Sequence, residues 1–212
     1  MKTIKDNFQF EDNGFRRLIL QFLKIIIKRI AIIDVIHPEW IVPNGAIVVA
    51  ANHISAIDAI LLQVVIPRTL CFMSKAELFQ NPLSAWFFNK IGSFPVKRGE
   101  FDRRSLLNAK KVLDSGLALM MFPEGTRTFG QGMTEARSGS AHLAMRNDSA
   151  ILPVAISGAE NILKHCLKKA NVTVEFGPLI RPGENETAQA LTVRLMRAIA
   201  VMLPEGYRGV YS

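Results

Sequence analysis

The chain has 212 residues, 49% of them hydrophobic, with a formal charge of +8, a mean hydropathy of +0.20 and a pI of about 9.8. That length suits one α/β domain with an appendage, and the excess of cations points to anionic partners such as phosphates or acidic lipid headgroups. Nucleic acid is the weaker partner, because there is no zinc spacing, no aromatic-rich RNA-binding signature and no long Lys/Arg run.

Residues 1–13 are polar and are expected to fray. From Phe15 to Ile33 the pattern is helical, with Arg17, Gln21, Lys24 and Lys28 forming one polar stripe and apolar residues covering the rest. Cations interrupt the run too early for a membrane-spanning helix, and there is no small-residue cleavage site of a signal peptide. A helix with this composition fits one lying in the membrane plane. Through residue 30 seven basic residues (Lys2, Lys5, Arg16, Arg17, Lys24, Lys28, Arg29) face three acidic ones (Asp6, Glu11, Asp12), a balance of +4 that favours anionic lipid. Packing on the domain core would explain the helix too, but the apolar arc is wider than one packing face requires.

Pro38 and Pro43-Asn44-Gly45 mark a linker, so residues 1–40 form an amphipathic membrane-associating segment and residues 41–212 the α/β domain. Ala46–Ala51 suits a buried strand, and Ala56–Ile66 a helix stopped by Pro67. Ser55 is a good N-cap, with Asp58 three residues on as the acidic member of a capping box. His53, in the turn, and Asp58, in the first helical turn, can therefore meet, and an imidazole held by a carboxylate is what a general base needs. Asp58 as a mere cap and His53 as a loop residue is the competing reading of this stretch alone.

Further strands are expected at Thr69–Met73, Ser93–Val96, Leu117–Phe122, Ile151–Gly158 and Val172–Phe176. Helices are expected at Ala76–Phe79, Leu83–Ile91, Asp102–Ser115, Ser140–Arg146 and Glu184–Leu203. Trp86, Phe87 and Phe88 suit the core, an acyl groove or the membrane. Lys97 and Arg98 lie at a strand end, where ligand groups gather in α/β sheets. Phe122-Pro123-Glu124-Gly125-Thr126-Arg127 closes another strand, and Gly125 lets backbone amides approach a ligand. A mobile polar loop, 128–138, follows, then Arg137-Ser138-Gly139 introduces a helix. Pro153 inside an apolar strand suggests an edge or a bulge. Cys71 and Cys166 sit in unrelated contexts and read as core residues in a reducing compartment, with neither a disulfide nor a metal cluster indicated.

In combination these segments resemble the 1-acyl-sn-glycerol-3-phosphate acyltransferase (lysophosphatidic acid acyltransferase) family of glycerolipid acyltransferases. The resemblance rests on four ordered blocks over roughly residues 40–180: Asn52-His53 to Asp58; Gly92, Phe94 and Arg98, with one residue fewer between the first two than in the family; Phe122 to Arg127, matched completely; and the apolar strand around Pro153. It implies a mostly parallel sheet flanked by helices, and transfer of a fatty acyl group from a thioester to the hydroxyl of lysophosphatidic acid, giving phosphatidic acid. His53 would be the base and Asp58 its orienting acid. Arg98 and Arg127, helped by Lys97, would hold the acceptor phosphate, with Gly125 and Thr126 at the site. Glu124 would hydrogen-bond a glycerol hydroxyl or orient an arginine, and backbone amides near Gly125 are candidates for the oxyanion donors. No cofactor or metal is implied. The donor would be acyl-CoA or acyl-carrier protein, and the protein would sit on the cytoplasmic face of the cell membrane.

Overall fold

A computed structural model describes residues 14–97, 102–162 and 168–212. Helix α1 (Gly14–Ile30) runs directly into strand β1 (Ala31–Ile36), followed by β2 (Ile47–Ala51), α2 (Asp58–Val65), β3 (Leu70–Lys75), α3 (Pro82–Lys90), β4 (Ser93–Val96) and α4 (Arg103–Asp114). The second half supplies β5 (Ala118–Met121), α5 (Gly139–Arg146), β6 (Ala150–Ser157), β7 (Ala170–Phe176), α6 (Ala188–Met202) and the short α7 (Glu205–Arg208). The strands form one sheet in the order β1-β7-β6-β2-β5-β3-β4, parallel at every pairing except β6 with β7.

Strand β2 is central, and all five of its residues are buried. Its side chains alternate between two faces, as the two-residue period of a strand demands. Ile47, Val49 and Ala51 join a core with residues of α1 and α2 and with Phe87 and Phe88 of α3. Val48 and Ala50 join a second core with residues of α4, α5 and α6. A strand covered on both sides must be apolar throughout, which accounts for the unbroken run in the sequence.

Three expectations need correction. Residues 31–36 are not part of an appended segment: β1 pairs with β7 over its whole length, from Ala31 with Ala170 to Ile36 with Glu175. The apolar run of α1 flows into this strand without a breaker, so periodicity alone cannot separate the two. Nor is Pro153 on an edge strand, since β6 lies between β7 and β2. Antiparallel pairing with β7 stops at Val154–Phe176 and resumes as an isolated bridge, Ile151–Ile180. The missing N–H of Pro153 faces that interruption, while its carbonyl accepts from the Gly177 N–H at 3.0 Å. Helix α2 begins at Asp58 and not at Ala56, with Ile57 at the cap position and no side-chain cap. Other boundaries lie within a few residues of expectation, although 76–79 is a 3₁₀ turn.

Candidate active site

The site forms where β2, β4 and β5 end at their carboxyl edges. Beyond Ala51, Asn52 continues the pairing with its side chain: its amide donates to the Ile156 carbonyl at 2.8 Å and accepts from the Ile156 N–H at 2.7 Å. This two-point grip, fully buried, fixes where the chain leaves the sheet and so where His53 starts.

His53 and Asp58 meet as the spacing predicts. Nδ1 of His53 lies 2.8 Å from Oδ2 of Asp58, and the same oxygen accepts from the N–H groups of Ile54 at 2.7 Å and Ser55 at 2.8 Å. Only half of the expected capping box forms, the acid reaching back to the Ser55 N–H. Asp58 is wholly buried, so its charge is balanced by these donors and not by water. The bond to Nδ1 places the proton there and leaves Nε2 as the ring's acceptor. The Phe122 ring stacks on the imidazole at 4.1 Å between centroids and 17° between planes, which fixes the ring's tilt.

Glu124 departs from expectation. One carboxylate oxygen accepts from the His53 backbone N–H at 2.8 Å. The other accepts from the Thr134 N–H at 2.9 Å and the Thr134 hydroxyl at 3.3 Å. Both oxygens thus bind the protein itself, and at 4% exposure the side chain is a buried strut between the histidine turn and the 128–138 loop. Burial raises its pKa above the usual carboxylate value, opposed by those hydrogen bonds. The His53 carbonyl is held as well, by the Thr128 N–H at 2.8 Å and the Thr128 hydroxyl at 3.3 Å. The Phe122–Thr128 segment therefore clamps the histidine backbone on both sides.

His53 opens onto a cavity of about 280 Å³, lined also by Lys97, Phe122, Gly125, Thr126, Arg137 and Ser140. Of the residues expected to bind substrate, Lys97, Gly125 and Thr126 are here, and Glu124 stands behind the wall. Arg127 is not among the lining residues; its exposed guanidinium lies over the Phe129 ring, 5.4 Å from the centroid. Arg98 falls outside the described residues. The Gly125 N–H donates to the Phe122 carbonyl at 3.0 Å and so closes a turn. Arg137 and Ser140 were missed as site residues. Their signal was an arginine immediately before a helix start, read only as a helix boundary. Among the described residues no group of three His, Cys, Asp or Glu side chains is placed to hold a metal ion.

A family model described as Acyltransferase matches residues 32–157, from β1 to the end of β6. The chain belongs to the acyltransferase family. Among its relatives is a 1-acyl-sn-glycerol-3-phosphate acyltransferase of Bacillus subtilis, 30% identical over 156 residues, covering 73% of this chain and 77% of that one. A lyso-ornithine lipid O-acyltransferase of Pseudomonas aeruginosa is 37% identical over 117 residues, covering 54% of this chain and 44% of the relative. The crystal structure of the 1-acyl-sn-glycerophosphate (LPA) acyltransferase of Thermotoga maritima shares the fold, with a TM-score of 0.72, 22% identity, and coverage of 90% of this chain and 80% of that one. In this acyltransferase the family match encloses the His53–Asp58 turn and the whole Glu124 strut.

Proposed function

We propose that the protein transfers a fatty acyl group from a thioester donor, acyl-CoA or acyl-carrier protein, to the free hydroxyl of 1-acyl-sn-glycerol 3-phosphate. The observation that carries this reading is an Asp58-tethered imidazole opening onto a cavity that also holds Lys97 and Arg137. The acceptor oxygen attacks the thioester carbonyl as Nε2 of His53 removes its proton. The resulting imidazolium is stabilised by Asp58. Collapse of the tetrahedral intermediate breaks the C–S bond, and the leaving sulfur takes the proton back from His53. The acceptor hydroxyl is the nucleophile, so no acyl-enzyme is needed, which accords with the lack of a Gly-x-Ser-x-Gly elbow.

The names of the relatives support lysophosphatidic acid as acceptor, and the cationic lining suits its phosphate. The 37% identity to the lyso-ornithine lipid enzyme favours that lipid as the second reading. Purified protein with one acyl donor and a panel of lyso-lipids separates the two, product formation from lysophosphatidic acid being the expected result. His53→Ala is expected to abolish transfer while leaving the folded content unchanged; near-normal turnover in that variant would remove His53 as the base.

A further inference from the structure

We infer that the phosphate of the acceptor is anchored at the N-terminus of α5, by Arg137, Ser140 and the first amides of that helix. This deepens the acyltransferase reading and rests on it. Helix α5 has eight residues and begins inside the cavity, where Gly139 and Ser140 form part of the wall. Its cap residue, Ser138, provides no side-chain cap; its hydroxyl donates to Gln189 at 2.8 Å. The opening turn therefore presents its partial positive charge to whatever occupies the cavity.

Two further features point the same way. Ser140 is fully buried, and its hydroxyl has no hydrogen-bond partner among the described residues. A buried hydroxyl without a partner is costly unless a ligand supplies one. Arg137 lies against Gly125, whose hypothetical Cβ would be 3.8 Å from Nε and 3.9 Å from Cζ of the guanidinium. A guanidinium can hold two phosphate oxygens at once, and Arg137 and Gly125 both line the cavity. Lys97 lines the same cavity as a further cation. Arg137 would then act as a phosphate ligand ten residues after the Arg127 of the sequence motif.

A phosphoryl group could come from the acceptor or from the thioester carrier, and kinetics separates the sources. In Arg137→Ala the KM for lysophosphatidic acid is expected to rise about 10- to 100-fold, with the KM for the thioester within about twofold of wild type. Ser140→Ala, which removes only the unpartnered hydroxyl, is expected to raise the same KM about tenfold. Arg137→Lys should recover part of the loss, because it restores charge without the fork. Calorimetric titration with inorganic phosphate provides a readout independent of turnover: wild type binds and Arg137→Ala binds at least tenfold more weakly. Unchanged phosphate binding and unchanged lysophosphatidate KM in both alanine variants would overturn the assignment, and a rise confined to the thioester KM would reassign the phosphate to the donor. If wild type acylates no lysophosphatidic acid yet loses phosphate binding on Arg137→Ala, the acceptor reading fails and the anion site stands.

Discussion

Three buried side chains show what single residues contribute. Asp58 holds the imidazole and closes the turn with one oxygen, so Asp58→Asn keeps the shape but replaces the orienting charge. A fall in kcat of about a hundred- to ten-thousand-fold is expected, measured with folding monitored in parallel. Glu124 braces two backbone segments, and Glu124→Gln can satisfy only one of them, so a loss of about 1–3 kcal/mol in urea unfolding is expected. Because burial raises its folded pKa, the native state holds the Glu124 proton more tightly than the unfolded chain. Its contribution to stability is therefore greatest below the ordinary carboxylate pKa and declines as pH rises towards the raised value, a slope that should vanish in Glu124→Gln. Burial likewise pushes the Cys71 thiol up to about 12, so Cys71 in the native protein should resist alkylation at pH 8 and react only after unfolding. The His53–Asp58 contact was legible from five-residue spacing across a turn. The struts were not, because the shorter bonds from Thr128 and Thr134 come from backbone donors that any residue carries, and Glu124's partners are fixed by long-range packing.

Helix α1 has three distinguishable faces. Arg16 and Ile27 are buried towards the domain, and Arg17, Lys24 and Lys28 form the cationic stripe. Between these, Phe15, Leu18, Phe22 and Ile25 are 47–62% exposed in one apolar strip. Phe15 meets Trp86 of α3 with ring centroids 5.6 Å apart, and the neighbouring Leu83 is 75% exposed, so the strip continues onto α3. No helix among the described residues is long and apolar enough to cross a membrane. The strip instead suits shallow insertion with the cations at anionic headgroups. Replacing Leu18, Phe22 and Ile25 together with Asn should release the protein from anionic vesicles in a sedimentation assay while thermal unfolding changes little; undiminished sedimentation would refute this docking surface. Truncation through residue 36 would be a poor substitute, because it removes β1 from the sheet. The sequence revealed the polar stripe of α1 but not which apolar residues face the core, a division made by α2 and the sheet. Internal strands were legible as apolar runs, whereas the pairing of β1 with β7 needed contacts about 140 residues apart in sequence.

Across the whole molecule, residues 204–211 return to the 128–138 loop and pin it. The Met133 N–H donates to the Tyr207 carbonyl at 3.0 Å, the Val210 N–H donates to the Met133 carbonyl at 3.1 Å, and the Tyr211 hydroxyl accepts from the Ala136 N–H at 3.0 Å. Gly209 makes this approach possible: it has φ of 56°, and a Cβ there would sit 2.1 Å from the Met133 carbonyl oxygen. Gly209→Ala is expected to cost about 2 kcal/mol or more in thermal or urea unfolding. It should also lower acyl transfer, since the displaced loop carries Thr134, which braces Glu124. No local pattern around residue 133 announced this contact, so the loop read as mobile. The same closure sets an order of events during translation. The ribosome releases His53, Asp58 and the Glu124 strut long before Tyr207 and Val210, so a growing chain holds all three while its 128–138 loop still lacks this fastening. The loop beside the site thus takes its pinned form only after residues 204–211 have been made.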